Sequence, residues 1–156
     1  MKNCLILKEN LELFFTKKCI LVEGPVEKYA FPKLLKLFGC DVENFSVSII
    51  SAWGKTKIKN YQMICKVFSI DYYTVFDNDK ATDDEPATEN MAIEANVQDG
   101  KKTKFSTNFE VMLGVTSDNK FQKMAAKIDE LTDTNSLDQE VKDCVNSLKT
   151  YINSDN

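Results

Sequence analysis

The 156 residues include no histidine and no arginine. Without histidine, Ser-His and Cys-His catalysis and the usual histidine-based zinc sites are excluded. Without arginine, every cation is a lysine. Lysine contacts phosphate as a point charge and cannot make the bidentate fork, so sequence-specific base reading is not signalled. The five cysteines, at 4, 19, 40, 65 and 144, are odd in number, scattered, and never spaced Cys-x-x-Cys. A disulfide framework and a structural zinc site are thereby excluded, and the thiols read as small buried apolar groups. No apolar run approaches the roughly 20 residues of a membrane span. The N-terminus, MKNCLILKENLELFF, lacks the basic, apolar, small-residue order of a secretory signal. A soluble cytoplasmic protein without membrane contact is the expectation. No Gly-x-x-x-x-Gly-Lys-Ser/Thr phosphate loop occurs, nor any internal repeat.

What is present is an acidic protein of ordinary apolar content, with a formal net charge of −4. The length suits one domain with a real core. Lysines exceed acids in residues 1–66, and the remainder is acidic. A negative total counts against nucleic-acid binding. It counts less if several acids are metal ligands, because bound cations reverse the local potential. Any such metal must be held by oxygen, which points to magnesium, manganese or calcium.

The pattern alternates strand and helix. Cys19–Val22 is a short apolar run closed by Glu23-Gly24-Pro25, which suits a buried strand. Apolar residues then recur with helical period from Val26 to Phe38, where Gly39 is a stop. Pro32 inside this stretch predicts a kink or a late start. Val47–Ser51 reads as a second strand and Lys57–Phe68 as a helix. Tyr72–Phe76 is a third strand, ending abruptly in Asp77-Asn78-Asp79. Residues 80–104 are polar and read as an inserted loop, with room for a short helix near Glu89–Ala95. Phe105–Leu113 is a short ordered piece. Helices near Lys120–Leu131 and Leu137–Ile152 close the chain. Residues 1–15 are a lead-in, 16–152 the domain, and 153–156 a frayed tail. The order predicts an α/β fold with right-handed crossovers and a site at the carboxyl ends of the strands.

Both acidic motifs fall at those ends. Glu23 sits where the first strand stops, and Glu27 follows in the first helical turn. Asp77 and Asp79 alternate after the third strand, a spacing that lets two carboxylates approach one cation. Singly, such a glutamate is commonly a helix cap and such an aspartate a turn former. Together, four converging acids would repel one another unless a cation compensated.

Glu-Gly-x-x-Glu in a strand-turn-helix, followed by Asp-x-Asp after a later strand, resembles the Toprim domain. The finer likeness is to the nuclease domain of the overcoming-lysogenization-defect (OLD) family. It rests on ENLELFFTKKCILVEGPVEKYAFPKL and VSIISAWGKTKIKNYQMICKVFSIDYYTVFDND, including Gly54-Lys55, over about residues 9–80. The resemblance implies a Rossmann-like Toprim fold: a mostly parallel sheet of about four strands flanked by helices. It also implies a two-metal endonuclease using Mg2+ or Mn2+ on nucleic acid, with DNA favoured over RNA. Glu23, Glu27, Asp77 and Asp79 match by motif as metal ligands. Glu110 in Asn108-Phe109-Glu110 resembles a later ligand position, although an exposed helix acid is the plain alternative. Lys120 resembles the catalytic lysine, with Phe121 where proline often follows, and Lys123 is the fallback. Lys55, Lys57 and Lys59 could guide a phosphate backbone, although a solvated loop is the commoner fate of such a run. Trp53 and Tyr61 could stack on bases, although core packing is the commoner fate.

The family's nucleases carry an ATPase ahead of this domain. Here the chain opens almost at the Toprim strand, as an excised domain or a stand-alone relative would, so an ATPase would be a separate domain or subunit. Two rivals remain. A phosphatase of the haloacid dehalogenase type also uses Asp-x-Asp, but near its N-terminus, and it leaves Glu23 and Glu27 unexplained. A non-catalytic Toprim module could bind nucleic acid or a partner chain.

Overall fold

The computed structural model describes residues 8–78, 88–115 and 120–154. Four strands form one sheet: β1 (Lys18–Val22), β2 (Val47–Ser51), β3 (Asp71–Asp77) and β4 (Lys102–Phe105). Their order is β2-β1-β3-β4, and every pairing is parallel. The helices are α1 (Pro25–Leu37), α2 (Lys55–Val67), α3 (Thr88–Glu94), α4 (Phe109–Met112), α5 (Lys120–Glu130) and α6 (Gln139–Asn153). Short 3-10 segments cover Lys8–Phe15 and Val42–Asn44. The chain is thus an α/β protein with a four-stranded parallel sheet flanked by helices.

Side chains alternate across a strand, so β1 feeds two cores. Ile20 and Val22 join α1, α4, α5 and α6 through Ala30, Phe31, Leu34, Phe109, Met124, Ile128, Val141 and Leu148. Cys19 and Leu21 face the other way, onto Ile58, Tyr61 and Cys65 of α2 and Ile93 of α3. Buried on both faces, β1 and β3 read as continuous apolar runs, as parallel strands should.

The topology places the site. The chain leaves β1 for β2 on one side, then crosses back over β1 to form β3 on the other. Helices α1 and α2 accordingly pack on opposite faces, as right-handed crossovers require. The order therefore reverses between β1 and β3, and a crevice opens at their carboxyl ends.

Some expectations need adjusting. Helix α1 starts without delay, with Pro25 at its first position, where a missing N–H costs nothing. It then runs through Pro32. Lys102–Phe105 is a strand inside the stretch expected to be loop. It is an edge strand whose lysines point outward, which hides it among polar residues. The four described cysteines are free and buried, with the Sγ atoms of Cys19 and Cys65 3.6 Å apart. Among the described residues, no helix is long and apolar enough to cross a membrane.

Candidate metal centre

The turn after β1 brings the first two acids together. Glu23 follows the last residue of β1, and Gly24 caps α1. The backbone N–H of Gly24 donates to Glu27 Oε2 at 3.0 Å. This is the carboxylate half of a capping box, so the plain reading of Glu27 as a helix cap holds as far as it goes. A Cβ on residue 24 would stand 3.2 Å from that same oxygen, so glycine keeps the approach open.

Asp77 is the last residue of β3. Its Oδ1 accepts from the backbone N–H of Phe109 at 3.2 Å, at the start of α4. This contact carries the neighbouring Glu110 toward the same edge. The result is one cleft of about 300 Å³ lined by Glu23, Gly24, Glu27, Trp53, Asp77, Asn108 and Glu110, among others. Acids from three separate sequence regions thus face a common space.

Their electrostatics follow from that crowding. Glu27 and Asp77 are each only 6% exposed. Burial pushes the Glu27 carboxyl up to about 8, against the backbone hydrogen bond that pulls it down. Repulsion from Asp77, Glu110 and Glu23 raises it further. Burial, then the charges of Glu23 and Glu110, push Asp77 up to about 7, while the Phe109 N–H and the Lys55 cation oppose the rise. An acid held near neutrality by burial and by its neighbours exchanges its proton readily for a cation.

The donor set is all oxygen, which suits a hard divalent ion. Among the described residues, however, no three acids stand close enough to ligate one ion as they are placed. The carboxylates therefore fit such an ion by chemistry and by a shared cleft, not by a closed coordination shell. Asp79 lies outside the described residues. The backbone of Lys120 opens α5, but its side chain is outside the described set. The next residue, Phe121, packs edge-on against Tyr29 at 5.6 Å between centroids, two residues past Glu27. Lys123 is exposed on α5.

Two residues behave differently from the sequence reading. Lys55 is not a solvated guide: it is 8% exposed and its Nζ donates to the main-chain oxygen of Asp77. Only Lys57 and Lys59 stay on the surface. Tyr61 is core, as expected, and its hydroxyl accepts from Asn10 at 2.8 Å. Trp53 is 47% exposed and lines the acid cleft. Asn108 and the Phe109 N–H were missed, because nothing local marks a loop residue as the neighbour of a strand end.

The parallel sheet, the reversal between β1 and β3, and acids at both strand ends define a Toprim-type α/β domain. Residues 14–79 match the family described as overcoming lysogenization defect protein-like, TOPRIM domain. The whole fold is similar to the C-terminal region of the Xanthomonas campestris pv. campestris OLD protein, with a TM-score of 0.65 at 12% identity. That alignment covers 90% of this chain and 96% of that one. The C-terminal region of the Burkholderia pseudomallei OLD protein aligns with a TM-score of 0.51 at 16% identity, covering 88% of each chain. No curated protein sequence matches.

Proposed function

We propose that this domain is a divalent-metal-dependent nuclease that hydrolyses phosphodiester bonds in nucleic acid, with DNA the favoured substrate. The observation that carries the reading is the meeting of Glu23, Glu27, Asp77 and Glu110 in one cleft where the strand order reverses. Structural acids would not be gathered where burial and the charges of Glu23 and Glu110 raise the proton affinity of Glu27 and Asp77.

In this reading Glu23, Glu27, Asp77, Asp79 and Glu110 hold Mg2+ or Mn2+, two ions by resemblance to the family. Bound divalent ions supply water activation and charge neutralisation at the leaving oxygen. The chain's own groups do the rest. Lys55 fixes the end of β3 through the Asp77 carbonyl, and its charge opposes the rise in proton affinity at Asp77. Exposed Lys57 and Lys59 draw the phosphate backbone toward the cleft. Lys120, at the start of α5, would stabilise charge developing on the scissile phosphate. Any ATPase would act from outside these residues.

The test is supercoiled plasmid incubated with Mn2+, Mg2+ or EDTA. Nicking or linearisation in metal, absent in EDTA and lost in Asp77→Ala and Glu27→Ala, supports the nuclease. Binding without cleavage in any metal would replace it with a non-catalytic docking module. Hydrolysis of a small phosphomonoester in place of DNA would point to the phosphatase.

A further inference from the structure

Trp53 is the only tryptophan in the chain and occupies an unusual place. It follows β2 on the edge that carries the acids, and it lines their cleft. Its backbone lies in the left-handed region, at φ 55. Bulky L residues take that conformation only at a cost, and such strain persists where function retains it. The turn itself does not require an indole. Glycine would adopt this φ freely, and the next residue, Gly54, has a positive φ of its own, 120. Core packing does not require it either, since nearly half of the residue is exposed.

The turn is nonetheless tied down. The Trp53 N–H donates to Ser51 Oγ at 3.3 Å, and the Gly54 N–H donates to the main-chain oxygen of Glu23 at 2.9 Å. The turn that carries the indole is therefore bonded, through Gly54, to the backbone of the first acid. Helix α2 then leads away with Lys57 and Lys59 on its exposed side. A π face beside a phosphate-cleaving cleft, followed by surface cations, is the arrangement that binds single strands. The cations track the backbone and the aromatic ring stacks on a base. A base within an intact duplex has both faces covered by its neighbours and offers none to a side chain.

We propose that Trp53 is a stacking platform for an unpaired nucleobase flanking the scissile phosphate. The substrate class is then single-stranded nucleic acid, or duplex with a flap, bulge or frayed end. This deepens the nuclease reading and rests on it for the identity of the cleft.

The sole tryptophan is its own probe. The full chain in magnesium is titrated with a phosphorothioate-linked oligothymidylate, its RNA counterpart, an abasic strand and a blunt duplex. Tryptophan fluorescence and the anisotropy of end-labelled strands are read together. Binding of either base-bearing single strand quenches the tryptophan, and binding of the abasic strand or the duplex does not. Trp53→Ala and Trp53→Gly lose roughly 5- to 140-fold in single-strand affinity, the range expected for one lost stacked base. Trp53→Phe keeps most of it, and all three variants bind duplex as the wild type does. Trp53→Gly also relieves the left-handed strain, so it melts no lower than the wild type while binding worse, a combination that a structural role would not produce. The proposal is overturned if the Ala and Gly variants bind single strands as tightly as the wild type. It is equally overturned if fluorescence stays constant at saturation, or if the wild type binds no strand. Quenching by single strands in a protein that cuts nothing would retain the stacking and remove the nuclease.

Discussion

Replacing Glu27 by glutamine separates the cost of the acid cluster from its use. In the metal-free protein the Glu27 carboxyl is raised from an ordinary 4.5 to about 8, chiefly by burial and then by Asp77, Glu110 and Glu23. The folded state thus binds this proton more tightly than the unfolded state. The sign follows: stability from this group is complete below about pH 4.5, falls as pH rises, and is gone above about pH 8. At about 1.4 kcal/mol per tenfold in proton affinity, the ceiling on that loss is about 5 kcal/mol. The cleft opens to water, and an effective dielectric near that of other ionised sites brings the expected difference to about 2–3 kcal/mol. Glutamine keeps an oxygen for the Gly24 N–H and carries no charge. Glu27→Gln in EDTA should therefore melt with the wild type at pH 5 and about 5–10 °C above it at pH 8.5. Manganese should reverse the order at pH 8, raising the wild type and leaving the variant unmoved. The assay is thermal unfolding followed by circular dichroism from pH 5 to 9, with and without Mn2+. Superimposable pH profiles in EDTA would refute the claim that these acids are buried together.

Two further changes probe the supports of the site. Gly24→Ala is allowed by its backbone, at φ −137, but its Cβ would press on Glu27 Oε2. It should leave stability within about 1 kcal/mol and weaken Mn2+ binding roughly tenfold by calorimetry, because it displaces a ligand through its support. Asn10 is fully buried and donates to Ser51 O at 2.6 Å and to Tyr61 Oη at 2.8 Å, clasping the segment Lys8–Phe15 onto the β2 end. Asn10→Ala should cost about 1–3 kcal/mol in urea unfolding without changing the pH at which Glu27 titrates.

Three of the four strands, and the strand-end positions of Glu23 and Asp77, were legible in the sequence for one physical reason. In a parallel sheet a strand is apolar throughout, so an acid at its end stands out, as Glu23 does after Cys19–Val22 and Asp77 after Tyr72–Phe76. All carboxyl ends share one edge, so residues some fifty positions apart could be placed together before any coordinates existed. Glu110 needed the family resemblance, because its only local feature is a short helix. The structure brings it into the electrostatic neighbourhood of Glu27 and Asp77. What stayed hidden depends on contacts far along the chain. Strand β4 is written in outward-facing lysines and looks like loop. The burial of Lys55 follows from the Asp77 carbonyl 22 residues away. The 3-10 segment at Lys8–Phe15 is held by Asn10 reaching across 41 positions to Ser51. The exposure of Trp53 could not be read from composition, which favours a core position for tryptophan.

The most direct measurement is anomalous diffraction from crystals of the full chain soaked in manganese at pH 8. The account predicts manganese peaks in the cleft at the carboxyl ends of β1 and β3, with oxygens of Glu23, Glu27, Asp77 and Glu110 drawn in around them. A cleft without manganese at saturating concentration, or ions held by surface acids elsewhere, would contradict it.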